Sequence, residues 1–156
     1  MIKNIDTEYD RALLRREALD MEGYEPFVDP KNGNVIEKWL IKRDVGNYAT
    51  ELVCRFEEML KCDIKPRFYI QEKGFTLPPH VDRGTTCAIN FVLSTKRDPI
   101  TFHTDWGYMR YTYETAIVDV TQRHEVTASS EDRLLFKMSI FDKSFDEVSE
   151  AYDTTY

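Results

Sequence analysis

The spacing of apolar positions changes character near Pro66, from a helical period before it to a period of two after it. Residues 6–20 predict a charged helix with modest apolar content at Ala12, Leu13 and Leu19. Pro26, Pro30 and the run Lys31-Asn32-Gly33-Asn34 then break regular structure, and Val35–Lys42 fits a strand or a short helix equally. The clearest helix spans 47–61, where Ala49, Leu52, Val53, Phe56, Met59 and Leu60 make one apolar stripe suited to lie on a sheet. Asn47 can accept a bond from the first unpaired N–H groups of that helix, and Pro66 stops its continuation.

Beyond Pro66 the predicted strands are 67–72, 75–79, 86–94, 100–104, 108–113, 116–120, 125–128 and 133–141. Turn signals separate them at Lys73-Gly74, Arg83-Gly84, Lys96-Arg97-Asp98-Pro99 and Ser129-Ser130-Glu131-Asp132. In 86–94, Cys87, Ile89, Phe91 and Leu93 share one face while Ala88, Asn90 and Val92 share the other. About eight short strands in half of the chain point to a sandwich or barrel, with the preceding helices covering one sheet face.

A chain of 156 residues without repeats or a long linker is expected to form one domain: helical support over 1–65, a β core over 66–141 and a C-terminal tail over 142–156. The net charge of −7 argues against electrostatic binding to nucleic acid or anionic membrane, although a local basic pocket is compatible with it. Residues 1–10 hold no apolar signal-peptide core and no stretch approaches transmembrane length, so a soluble, cytoplasmic protein without a membrane role is expected. Cys54, Cys62 and Cys87 show no metal-like or paired spacing and read as reduced thiols, Cys54 packed along a helix and Cys87 in a strand.

Chemistry concentrates at two histidines. His80 and Asp82 lie two apart at the end of a predicted strand, so an imidazole and a carboxylate project to one side. His124 supplies a second imidazole, and Arg133 follows it nine positions later. Two imidazoles and one carboxylate are the protein share of a facial-triad site with open positions, although these ligands alone do not select iron over other divalent metals. The tripeptide His-x-Asp is common by chance; His124, Arg133 and the strand-rich context give it weight.

Leu77-Pro78-Pro79-His80-Val81-Asp82-Arg83-Gly84, then Ile89-Asn90-Phe91-Val92-Leu93, then Ile117-Val118-Asp119 leading to His124-Glu125-Val126, then Asp132-Arg133-Leu134-Leu135-Phe136, resembles the Fe(II)/2-oxoglutarate-dependent oxygenase superfamily. The wording is most similar to the aspartyl/asparaginyl β-hydroxylase-like branch, with prolyl hydroxylases a looser match, and the similarity runs over 67–141. The resemblance implies a mainly β protein with N-terminal helices, folded as a double-stranded β-helix of the cupin-like, jelly-roll kind, with the site inside its mouth. It implies Fe(II) on His80, Asp82 and His124, with 2-oxoglutarate as co-substrate. Arg133 then pairs with the far carboxylate of 2-oxoglutarate through two charge-assisted hydrogen bonds. Ascorbate is a candidate accessory reductant. The implied activity is a dioxygenase, in particular a hydroxylase of a peptide, protein or amino-acid C–H that consumes dioxygen and releases succinate and CO2. The protein then has to position that C–H and exclude water, with no side chain needed as nucleophile or general base.

Several assignments stay open. If 125–128 and 133–141 formed a simple hairpin, His124 would face Lys137, which shares strand parity with Arg133 and could anchor the same carboxylate. Tyr69, Thr86, Asn90 and Ser139 could hydrogen-bond the co-substrate, Asn90 having the best claim as a polar residue centred in an apolar strand. His103 and Asp105 form a second His-x-Asp in what reads as a loop, expected to be a bystander. Trp106, Tyr108, Tyr111 and Tyr113 could line a substrate entrance, and Arg83, Arg97 and Arg110 could attract a carboxylate-bearing substrate. Residues 141–156 read as a short helix and a loose tail. The rival classes are a non-catalytic jelly-roll that binds a small acid or a protein partner, and a metal-dependent isomerase or hydrolase on a cupin-like fold.

Overall fold

Period-two alternation after Pro66 builds two antiparallel sheets that face one another. The computed structural model describes residues 1–155. Its first half contains β1 (Ile2–Asn4), α1 (Arg11–Leu19), β2 (Glu25–Val28), β3 (Val35–Lys42), α2 (Asn47–Leu60) and β4 (Ile64–Gln71). Then follow β5 (Leu77–His80), β6 (Cys87–Val92), β7 (Ile100–Thr104), β8 (Gly107–Tyr111), β9 (Thr115–Val118), β10 (His124–Val126), β11 (Arg133–Ile140) and α3 (Phe145–Thr155). The larger sheet has the order β1-β9-β6-β11-β4-β3-β2, and the smaller one β5-β10-β7-β8. From β4 to β11 the chain passes back and forth between the sheets, so the fold is a double-stranded β-helix as expected. β10 and β11 lie in opposite sheets, which removes the hairpin considered for them.

Alternation divides the larger sheet into two chemically different faces. Leu134, Phe136, Met138 and Ile140 of β11 join Ile89 and Phe91 of β6 in a core beneath the helices, with Leu14, Leu52, Phe56, Leu60 and Val148 supplied by the helical layer. Arg133, Lys137 and Ser139 alternate with them and face the space between the sheets. There Ala88, Val92, Phe102, Ala116 and Val118 form a second, smaller core.

The N-terminal third differs most from expectation. α1 begins at Arg11 because the Asp10 carboxylate accepts a bond from the Leu13 N–H at 3.0 Å, and residues 6–10 lie outside it. Its buried positions are Leu14 and Ala18, one turn apart, while Leu19 is exposed. The turn-rich stretch contains β2, an edge strand whose Pro26 needs no ladder donor on its open side, and Val35–Lys42 is a strand. Pro66 lies inside β4, at a point where β11 is its neighbour and the pairing with β3 has already ended at Phe68. α2 stops earlier, where Lys61 turns left-handed at φ 55°. Cys54 is exposed on α2 rather than packed, whereas burial pushes the thiols of Cys62 and Cys87 up to about 11 and about 12. α3 is helical through Thr155, so the loose tail is absent up to that point, and its continuation at Tyr156 lies outside the described residues. No described helix is long and apolar enough to cross a membrane.

The cap of α2 also comes from an unexpected residue. Gly46 occupies the cap position and Asn47 is already helical. The Glu17 carboxylate, reaching across from α1, accepts the Tyr48 N–H at 2.9 Å and the Ala49 N–H at 3.2 Å. A Cβ on Gly46 would lie 2.5 Å from Glu17 Oε1, so the glycine makes room for its neighbour's carboxylate. We expect Glu17→Ala and Gly46→Ala each to destabilise by about 1–2 kcal/mol, the range for loss of a helix cap. Urea denaturation of the double variant should give less than the sum, because both changes remove one contact.

Candidate metal centre

Strand register brings the two sequence-distant histidines together. β5 is the edge of the smaller sheet, where Pro78 and Pro79 are tolerated. Its pairing with β10 sets His80 directly across from His124, with ring centroids 4.4 Å apart. Asp82 follows after the strand ends, its N–H bonded to the Val120 carbonyl at 3.1 Å. The Nε2 atoms of both histidines lie 3.4 Å from Asp82 Oδ1. One donor atom from each of the three residues falls within 4.8 Å of the others, a group able to hold a metal ion.

The other ring nitrogens identify what faces that point. His80 Nδ1 is 2.7 Å from the Pro78 carbonyl and His124 Nδ1 is 2.8 Å from the Gln122 carbonyl. A carbonyl oxygen only accepts, so each neutral ring carries its proton on Nδ1 and presents a lone pair at Nε2. Two imidazole lone pairs and a carboxylate oxygen therefore converge with no proton between them. Such an arrangement fits a divalent cation, and each ring is oriented by a bond to the backbone behind it.

Lys137 supplies the counter-charge. Its ammonium pairs with Oδ2 of Asp82, while Oδ1 faces the histidines. Burial alone would raise the Asp82 carboxyl, but the Lys137 ammonium outweighs it and holds the group well below the usual carboxylate range. Burial likewise works against the Lys137 ammonium, and Asp82 reverses the shift, leaving it above the ordinary lysine value. The pair remains fully ionised at neutral pH.

These groups open onto a cavity of about 420 Å³ between the sheets. Tyr69, Asn90, Arg133 and Lys137 all line it. Arg133 is buried, donates to the Asp98 carbonyl at 2.5 Å, and reaches the Tyr113 hydroxyl at 3.5 Å. Asn90 Nδ2 donates to the same hydroxyl at 3.1 Å, while its Oδ1 has no partner among the described residues. Tyr69 stacks on Trp39 with centroids 5.1 Å apart. On β11 Arg133 and Lys137 are four residues apart, about 13 Å along one strand face.

Other sequence candidates lie elsewhere. Thr86 donates to the Ile140 carbonyl at 3.1 Å and also bonds the Lys143 carbonyl, so its hydroxyl is structural. His103 lies in β7, within the predicted strand 100–104 and not in the loop after it, 3.0 Å from Glu125 and apart from the triad; Asp105 is exposed. Trp106 and Tyr108 are 97% and 72% exposed, and of the aromatic run Tyr113 lines the cavity. Arg97 pairs with Glu114 at 3.4 Å, and Arg110 is exposed on the edge strand β8, so only Arg83 of the three arginines borders the cavity. Trp39, Arg67 and Gln71 also line it and were not singled out by sequence. Period-two parity could have found Arg67 and Gln71, which share a face with Tyr69. Trp39 had no such signal, because 35–42 was ambiguous as to element.

No protein-family model matches the chain, and no curated protein matches it. Solved structures do. A prolyl hydroxylase from Trichoplax adhaerens, in complex with a hypoxia inducible factor oxygen degradation domain peptide fragment, superposes with a TM-score of 0.74 at 12% identity. The match covers 96% of this chain and 86% of that one. A prolyl-4-hydroxylase from Pseudomonas putida matches with a TM-score of 0.64 at 14% identity, over 85% and 86% of the two chains. A 2OG-Fe(II) oxygenase family protein from Burkholderia pseudomallei gives 0.57 at 16%, over 85% and 79%. At these identities the likeness is one of fold.

The charge pairing makes a stability prediction. Lys137→Met should destabilise the metal-free protein by about 3–5 kcal/mol, since it strands the buried Asp82 carboxylate. In urea titrations, changing Asp82 to Asn in the same chain should recover part of that loss; equal stability of Lys137→Met and wild type would contradict the pairing.

Proposed function

We propose that the chain is an Fe(II)- and 2-oxoglutarate-dependent dioxygenase that hydroxylates a peptide, protein or amino-acid C–H, consuming dioxygen and releasing succinate and CO2. The observation that carries this reading is the donor set: two Nε2 lone pairs and one carboxylate oxygen meet at one point inside a double-stranded β-helix. The fold likeness supports it, and the peptide bound by the Trichoplax enzyme supports a peptide as one class of substrate.

When bound, Fe(II) with 2-oxoglutarate supplies the oxidation of an unactivated C–H by dioxygen. His80, His124 and Asp82 are the residues that would hold the metal, through Nε2 of each ring and one carboxylate oxygen. Lys137 keeps Asp82 Oδ2 engaged, so the carboxylate offers a single oxygen. Arg133 pairs with the distal carboxylate of 2-oxoglutarate, its guanidinium already buried and held by the Asp98 carbonyl. Tyr113 receives bonds from Arg133 and Asn90 and steadies that end of the cavity. The Asn90 amide can present either its oxygen or, after a flip, its NH2 to the co-substrate. Tyr69 and Trp39 form an aromatic wall beside His80 that limits water around the reacting C–H.

Under anaerobic conditions, Fe(II) and 2-oxoglutarate should give the protein a visible charge-transfer absorption, and admitted oxygen should then yield succinate. His80→Ala should abolish both. Arg133→Met should weaken 2-oxoglutarate binding at least about tenfold, as expected for loss of a charge-assisted pair, while metal binding persists. If Lys137→Met has that effect instead and Arg133→Met does not, the anchor is Lys137. Wild-type protein that forms neither the absorbing complex nor succinate across a panel of peptides and amino acids would refute the dioxygenase reading.

A further inference from the structure

An acidic chain places a row of positive charge at the mouth of its cavity. Arg67 of β4 is the direct cross-strand partner of Lys137. The β3–β4 ladder ends at Lys42 opposite Phe68, so Arg43 is the first residue beyond β3 on that side. Arg67 and Lys137 thus lie abreast on neighbouring strands, and Arg43, just past the end of β3, lines the same cavity. Arg83, next to the triad carboxylate, borders it from the other sheet's side.

The three strand cations are not equally occupied. Lys137 is taken by Asp82, and Arg43 pairs with Glu25 at 3.0 Å through side chains that are more than half exposed. Arg67 is half-buried, and its side chain has no hydrogen bond or ion pair among the described residues. A partly buried guanidinium without a counter-ion is a ready partner for an anion. Two buried acceptor-capable atoms on the same wall, Asn90 Oδ1 and Ser139 Oγ, also have no partner among the described residues. Asn90 is opposite Lys137 from the β6 side, and Ser139 is two residues further along β11.

We infer that the primary substrate carries a carboxylate, bound by Arg67 with Arg43 assisting, on the side of the metal centre away from Arg133. The inference rests on the dioxygenase reading and adds the chemical class of substrate. An acidic side chain in a peptide meets the requirement: a planar carboxylate accepts two bonds from one guanidinium, and the Ser139 hydroxyl on the same wall can donate to it. Arg133 lies about 13 Å along β11 from Lys137, so two carboxylates, one from each substrate, can be held at opposite ends of the cavity.

The test uses capped tripeptides with Asp, Glu, Asn, Gln or Pro at the centre, titrated calorimetrically into metal-free protein and into protein loaded with Mn(II) and 2-oxoglutarate. At least one acidic peptide should bind about tenfold or more tightly than its amide partner, the factor for one charge-assisted pair. Arg67→Gln should bring that ratio close to one, and exposed Arg43→Gln should reduce it in part, with 2-oxoglutarate affinity unchanged in both. Failure of every acidic peptide to exceed its amide partner overturns the inference. So does an Arg67→Gln variant that loses 2-oxoglutarate affinity instead, since the anion would then be the co-substrate. These affinities need no turnover: a protein that never makes succinate refutes the dioxygenase reading while the acid-to-amide ratio still reports on Arg67.

Discussion

A carboxylate buried against two lone pairs is the constraint on which this molecule turns. Asp82 is nearly enclosed, and the nearest imidazole nitrogens have no proton to give it, because both rings have committed theirs to backbone carbonyls. Left alone, such a group would be protonated or expelled into water. Lys137 prevents this from one side, at Oδ2, and leaves Oδ1 facing a point with the charge and geometry for a cation. The site is therefore half compensated by the chain itself. Removing the lysine would leave compensation entirely to a bound metal.

That arrangement depends on strand register more than on local sequence. A slip of one residue between β5 and β10 would turn either His80 or His124 to the outer surface. The same parity rule governs the larger sheet, where a one-residue slip of β11 would send Arg133 and Lys137 under the helices and Phe136 and Met138 into the cavity. The apolar helix layer thus fixes the polar cavity indirectly. Phe136 and Met138 can occupy only one side, and their burial forces the charged residues to the other.

Legibility in the sequence follows from how each feature is encoded. The β-helix core, the α2 stripe and both faces of β6 are periodic, so they could be read directly. The pair His80 and Asp82 was visible because two residues of one strand share a side; His124 and Arg133 needed the fold resemblance to be joined with them. β1 and β2 were not visible, since a three-residue edge strand and a strand containing Pro26 lack alternation. The α2 cap could not be read either: its acceptor, Glu17, is distant in sequence and looks like any exposed helix glutamate. Lys137 was visible by parity with Arg133, but its pairing with Asp82 requires the two sheets to close, which no local pattern states.

The helix layer does more than cover the sheet. Lys42, buried at the end of β3, donates to the carbonyls of Glu17 at 2.8 Å and Asp20 at 2.6 Å, where α1 ends and its last carbonyls lack partners. Burial lowers the pKa of that lysine, and the surrounding acidic groups oppose the shift. Glu17, whose carbonyl receives Lys42, sends its side chain on to cap α2. One chain of polar contacts therefore links β3, α1 and α2 behind the sheet. On the front of the same strand, Trp39, Ile41 and Arg43 face the cavity. Lys42 can satisfy the end of α1 only if β3 keeps its register with β4, and that register is what stacks Trp39 on Tyr69. The polar contacts behind the sheet thus hold the outer wall of the cavity in position, even though none of their atoms touches it.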